Sequence, residues 1–149
     1  MKTPFKVVPD TNVILASEKH PGPQSPNREF IERWKYEEFV LLYSDDTLFE
    51  YIDLMRIQGI AEETIKKLIL AILALGQEVY IRFYHLPYYP ADPDDIAFLL
   101  CAENGEATHI VSYDTHLKEI EPWYPFTVCK PVEFLRELRE YLSQELFPK

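Results

Sequence analysis

Glycine is scarce in this chain, with four in 149 residues, and cysteine scarcer still, with two. The sequence accordingly holds no glycine-rich phosphate-binding loop and no Gly-x-Ser-x-Gly nucleophile elbow. Two cysteines exclude a disulfide framework. Cys101 lies in an apolar helical run and Cys129 in an apolar strand-like run, so both read as small buried hydrophobes. The four histidines, His20, His85, His109 and His116, lack zinc-ligand spacing, and His116 reads as a surface residue. The longest apolar stretch, Leu68 to Leu75, is far short of a bilayer span. The first residues, Met-Lys-Thr-Pro, open no apolar signal segment, so a cytoplasmic protein without a membrane partner is expected. Positive charge is also in deficit. Fifteen Lys and Arg face 25 Asp and Glu, for a net charge of -10. That balance disfavours broad, non-specific attraction to nucleic acid, which needs a basic face. It leaves a nucleic-acid substrate open, because a bound cation reverses the sign locally.

What the chain has in abundance is proline, 12 in all. Most fall in expected loops: Pro21, Pro23 and Pro26; Pro87, Pro90 and Pro93; Pro122 and Pro125. Residues 1–149 read as one domain, large enough to bury roughly 70% of its unfolded surface. Residues 5–9 read as a buried strand, followed by a short helix at 13–16 and a long proline-rich loop at 18–27. Asn27 is placed to cap a helix to about residue 38. Val40 to Tyr43 is the second strand. Ser44 or Asp45 caps the next helix, which Gly59 stops. A further helix covers 61–75. Strand three is expected at 78–83, a helix from Asp92 to about Glu103, strand four at 109–112, strand five at 126–129, and a last helix from Pro131 to about Leu146. Alternating strands and helices imply a three-layer α/β/α fold on a five-stranded parallel sheet. Ligands of such sheets bind outside the carboxyl ends of the strands, where strand order reverses.

Acidic residues collect at those ends. Asp10 follows strand one directly, with Thr11 and Asn12 behind it. Glu50 lies on the helix after strand two among Leu48, Phe49 and Ile52, with Asp46 as a rival. Asp92, Asp94 and Asp95 open one helix, more acids than capping needs. Asp95 starts its inward face, and Asp94 is a supporting candidate. Asp114 follows strand four, with Ser112 able to bond a carboxylate or a phosphate. Each residue alone suits a cap or a turn. Together they form a constellation. Carboxylates at ~5 Å repel by about 3 kcal/mol per pair at an effective dielectric near 20, so they gather only when protonated or when they share a cation. Oxygen-only ligands select Mg²⁺ or Mn²⁺, and such ions hydrolyse phosphodiesters. The exposed aromatic set Tyr88, Tyr89, Trp123 and Tyr124 can stack on bases or pack internally.

Val7-Val8-Pro9-Asp10-Thr11-Asn12, Ser44 with Glu50, Asp92-Pro93-Asp94-Asp95, and Ile110-Val111-Ser112-Tyr113-Asp114 resemble the ordered motifs of PIN-domain nucleases, nearest the PIN-type toxins of bacterial and archaeal toxin–antitoxin pairs. The resemblance implies an acidic Mg²⁺/Mn²⁺ pocket that cleaves RNA through a metal-activated water. Asp10, Glu50, Asp95 and Asp114 match the four acids, all metal ligands in this reading, directly or through water. Asn12 and Ser112 match supporting polar positions, with Thr11 and Asp94 beside them. Tyr113 departs from the pattern, since glycine is common there; it would stack on a base or narrow the pocket. The expected partners are an RNA substrate, a small antitoxin protein blocking the pocket, and a second copy in a homodimer, with helix 61–75 as one candidate surface. The alternatives are a PIN-type RNA-processing nuclease without an antitoxin and a non-catalytic PIN or receiver-like module. A receiver would want a second acid where Thr11 stands and a lysine after its last strand, where Lys130 stands.

Overall fold

A computed structural model describes residues 3–19, 22 and 25–146. Short, mostly apolar segments form β1 (Lys6–Pro9), β2 (Val40–Tyr43), β4 (His109–Val111) and β5 (Thr127–Cys129), and the exposed polar pair Gln77–Glu78 forms β3. All pair in parallel, in the order β3-β2-β1-β4-β5. Val7, Val8, Leu41, Leu42, Ile110 and Val111 are fully buried, as they must be when helices cover both faces of a parallel sheet. The covering helices are α1 (Thr11–Lys19), α2 (Pro26–Lys35), α3 (Asp45–Ile57), α4 (Glu62–Leu75), α5 (Ile96–Asn104), α6 (Thr115–Ile120) and α7 (Pro131–Leu146). The result is a three-layer α/β/α sandwich. Chain order runs outward from β1 to β2 and β3, then resumes on the other side at β4 and β5. The reversal therefore lies between β1 and β4, whose register pairs Val8 with Ile110 and Pro9 with Val111.

Local chemistry sets the element ends. Ser44 and Thr47 form a reciprocal capping box at the start of α3: Thr47 N–H donates to Ser44 Oγ (3.3 Å) and Ser44 N–H to Thr47 Oγ1 (2.9 Å). Gly59 stops that helix with a left-handed φ of 77°. Gly105 ends α5 for a different reason. A Cβ there would lie 2.9 Å from the Cys101 carbonyl oxygen and 2.8 Å from Val79 Cγ2, so only glycine lets α5 and the β3 segment close together. Cys101 and Cys129 are both buried and free. Among the described residues no helix is long and apolar enough to cross a membrane.

Several expected boundaries move. α1 is longer than the helix expected at 13–16, beginning at Thr11 and continuing through Lys19, which shortens the loop placed at 18–27; residues 20, 21, 23 and 24 of that loop lie outside the described residues. Ser25, not Asn27, caps α2, its Oγ accepting from Arg28 N–H. Asn27 is instead buried inside the first turn. β3 holds two residues rather than the six expected at 78–83. After Val79 N–H donates to the Tyr43 carbonyl, a side chain takes over. Asn104 Oδ1 accepts from the N–H groups of Arg82 (2.8 Å) and Phe83 (3.2 Å), and its Nδ2 donates to the Phe83 carbonyl (3.0 Å). The β-prone run Tyr80-Ile81 thus follows an amide on α5 instead of the sheet edge. Of the aromatic set open to stacking or internal packing, Tyr124 packs internally, buried against Phe126. Its hydroxyl donates to the Tyr88 carbonyl (2.5 Å).

Removing the α3 cap should cost stability without changing the fold. Ser44→Ala is expected to destabilise by about 1 kcal/mol, lowering Tm by about 2–4 °C in a thermal melt. An unchanged Tm would show that the capping box contributes nothing.

Candidate active site at the β1–β4 switch point

Asp10 leaves the end of β1, where its N–H still donates to the Val111 carbonyl at 2.9 Å. The ladder therefore reaches one residue past the strand and fixes the height at which the carboxylate emerges. Its Oδ1 accepts from the Thr11 N–H (2.8 Å) and its Oδ2 from the Ser112 hydroxyl (2.6 Å). Ser112 in turn accepts the Asp114 N–H at 2.9 Å. One hydroxyl thus joins the ends of β1 and β4. Asp114 also caps α6, accepting from the His116 N–H at 2.8 Å. Asp95 arrives from a third direction. It closes a 3₁₀ turn, Pro93–Asp95, that Asp92 caps by accepting from the Asp94 N–H (2.9 Å) and that runs straight into α5.

These elements bring Asp10, Asp95 and Asp114 together: each offers one carboxylate oxygen, and the three lie within 4.8 Å of one another. Asp10 and Asp95 are buried, Asp114 half-buried. Their titration records the crowding. Burial first, then the charges of Asp10, Asp114 and Asp92 and a hydrogen bond to Asp114, push Asp95 up to about 7. Burial also raises Asp10, against the opposing bonds from Ser112 and Thr11.

Glu50 stands outside this group of three. It is half-buried on α3, and its carboxyl is raised by burial and then by the charges of Asp94, Asp53, Asp92 and Asp10. It belongs to the same acidic field at longer range. Asp94 and Asp46 are exposed. Asn12 Oδ1, one residue past Thr11 in the first turn of α1, is buried without a hydrogen-bond partner among the described residues.

Two contacts here had no signal in the sequence. The buried Tyr51, on α3, donates its hydroxyl to the Pro9 carbonyl, bracing the residue before Asp10. Tyr113 donates to Asn27 Oδ1 at 2.9 Å, tying the turn between Ser112 and Asp114 to α2. Neither pair shares a motif, and the partners are 42 and 86 residues apart.

The donor set fits a hard divalent cation. It consists of carboxylate oxygens alone, and Asp95 Oδ2 is buried with no hydrogen-bond partner among the described residues. An unsatisfied buried acceptor beside two other carboxylates is costly until a cation or a proton arrives.

A parallel sheet with acids converging at its switch point defines a candidate metal-binding site on an α/β scaffold. A family model described as PIN domain matches residues 6–116, about three quarters of the sequence, and the chain belongs to that family. A search of curated proteins finds no match. Membership implies a nuclease of a kind that generally uses divalent metals.

The raised Asp95 links stability to pH. Its folded value of about 7 exceeds the ordinary 3.8, so the folded chain holds a proton that the unfolded chain has lost. The resulting stabilisation is complete below the unfolded value and disappears as pH rises through the folded one. With chelator present, Tm should fall by several degrees from about pH 5 to about pH 8. Asp95→Asn should remove most of that slope. Asp10, Glu50 and Glu103, all shifted in the same direction, contribute to the remainder. A wild-type slope of zero or of opposite sign would contradict the crowding.

Proposed function

We propose that this chain is a Mg²⁺- or Mn²⁺-dependent endoribonuclease, acting as the toxin of a toxin–antitoxin pair. The observation that carries the reading is the convergence of Asp10, Asp95 and Asp114 on oxygens within 4.8 Å of one another. The likeness of the ordered motifs to PIN-type toxins supports the RNA substrate and the antitoxin.

The residues divide the work by position. Asp10, Asp95 and Asp114 would hold the cation, with Glu50 at the margin of the pocket. When bound, the ion polarises a phosphodiester and lowers the pKa of water. Ser112 and Thr11 keep both Asp10 oxygens oriented, so Asp10 does not turn toward solvent when substrate approaches. Asp95, pushed up to about 7, is partly protonated at neutral pH and would have to lose that proton to serve as a full ligand. Asn12, with its free buried carbonyl oxygen, is placed to accept a bond from a water or substrate group entering beside Asp10. In the same reading a small antitoxin covers the pocket, an Arg of that partner answering the acids. A second copy packs on α4, where Leu70 and Leu73 are exposed.

The test is cleavage of single-stranded RNA by wild type and Asp10→Asn with Mg²⁺, Mn²⁺ or EDTA. Wild type should cut with either ion and stop in EDTA. Asp10→Asn should lose at least about 100-fold in rate. Equal rates for the two proteins, or cutting that survives EDTA, would end the reading.

A further inference from the structure

A cleft of about 270 Å³ opens directly beside the acid cluster, on the β5 side of Asp114. Ser112 and Asp114 belong to both the cluster and the cleft wall. Beyond them Tyr113, Val128 and Cys129 form apolar walls, and Thr115, Lys118, Lys130 and Glu133 complete the lining. Two features make it a prepared surface rather than a gap between loops. Tyr113 is 40% exposed, yet its hydroxyl is fixed to the buried Asn27 at 2.9 Å, so its orientation is set before any ligand arrives. The two lysines differ in their engagement. Lys118 Nζ is committed to Glu121 (3.0 Å) and to the Val128 carbonyl (2.9 Å), which holds the cleft floor to α6. Lys130 is exposed and has no side-chain partner among the described residues. Glu133 lines the same cleft and accepts from the Lys130 N–H at 2.9 Å, so the two lysines are balanced there by Asp114 and Glu133, and the Lys130 ammonium is the cation left unengaged beside the acid cluster.

We infer that this cleft receives the nucleotide next to the scissile phosphate, its base lying against Tyr113 and its phosphate meeting Lys130. The inference rests on the nuclease reading and adds to it a subsite for one flanking nucleotide. A fixed aromatic ring stacks a base at little entropic cost. The apolar walls desolvate the base's faces, while the cation meets the next backbone phosphate without crossing the acidic pocket. Continuity through Ser112 and Asp114 places that nucleotide adjacent to the cation-binding oxygens.

The test uses the full chain and short single-stranded oligoribonucleotides. Binding is read by fluorescence anisotropy with Ca²⁺ in place of Mg²⁺, and cleavage with Mg²⁺ across a set varying the base on either side of the cut. Wild type should bind and should prefer certain bases on one side. Tyr113→Ala should weaken binding and raise KM about tenfold, the size of one lost base stack, and flatten that preference, with kcat changing less. Tyr113→Phe keeps the ring but loses its bond to Asn27, so it should weaken binding by an amount between wild type and Tyr113→Ala. Lys130→Glu, at an exposed position, should weaken binding for all sequences and reduce its salt dependence. Wild-type affinity and base preference in both Tyr113→Ala and Lys130→Glu would overturn the subsite while leaving the nuclease intact. The subsite is equally overturned if Tyr113→Phe loses as much as Tyr113→Ala, or if wild type binds no oligonucleotide. Binding through Tyr113 and Lys130 without any cleavage would instead overturn the nuclease reading and keep the subsite.

Discussion

Three carboxylates sharing so small a volume oppose folding, and the parallel register of β1 on β4 is what holds them there. Val7, Val8, Ile110 and Val111 are fully buried in that pair, and slipping the register by one residue would move Asp10 about 3.3 Å along the sheet relative to Ser112. The apolar strands thus fix the heights of Asp10 and Ser112, and through Ser112 the position of Asp114. Asp95 arrives through a turn whose cap and proline are set by its own sequence, Asp92-Pro93. The stability of the core is in effect transferred to an arrangement that isolated side chains would reject.

The electrostatics follow from that arrangement. Neither Asp10 nor Asp95 has a basic side chain among its hydrogen-bond partners in the described residues; Asp10 is held by a hydroxyl and a backbone N–H instead. Neutral donors orient a carboxylate without cancelling its charge, which keeps it available to a cation. Ion pairs are placed elsewhere, as in Arg33 with Glu29 and Glu38 or Arg56 with Glu62. There they are partly or well exposed and contribute modestly. Segregating paired charge from unpaired charge gives a strongly acidic chain one concentrated locus of negative potential.

How much of this could be seen in the sequence depends on the range of the interactions. The layer architecture was legible because Phe5 to Pro9, Val40 to Tyr43 and His109 to Ser112 are apolar runs closed by polar residues, and that pattern is local. The Ser44 cap and the Gly59 stop are local too. Asp10, Asp95 and Asp114 could be singled out because each follows a strand or opens a helix at the edge where a parallel sheet binds ligands. Failures came where a distant group intervened. Asn104 draws residues 82 and 83 off the sheet, so a run with strong β preference ends as a loop. Asn27 suits a cap by type, yet Ser25 does the capping and Asn27 meets Tyr113 across 86 positions. Tyr51 and its bond to Pro9 are equally invisible to any local pattern.

The brevity of β3 has an effect at the rim of the molecule. A sheet margin lined with free amides and carbonyls invites another chain to add itself there, and long flat margins are where proteins polymerise. Here Asn104 pulls the backbone away after Glu78 and claims the next available amide groups for itself. The terminal strand is left with two residues, too short a template for a foreign strand to zip onto. One asparagine at the end of α5 thus shortens the margin along which another strand could pair.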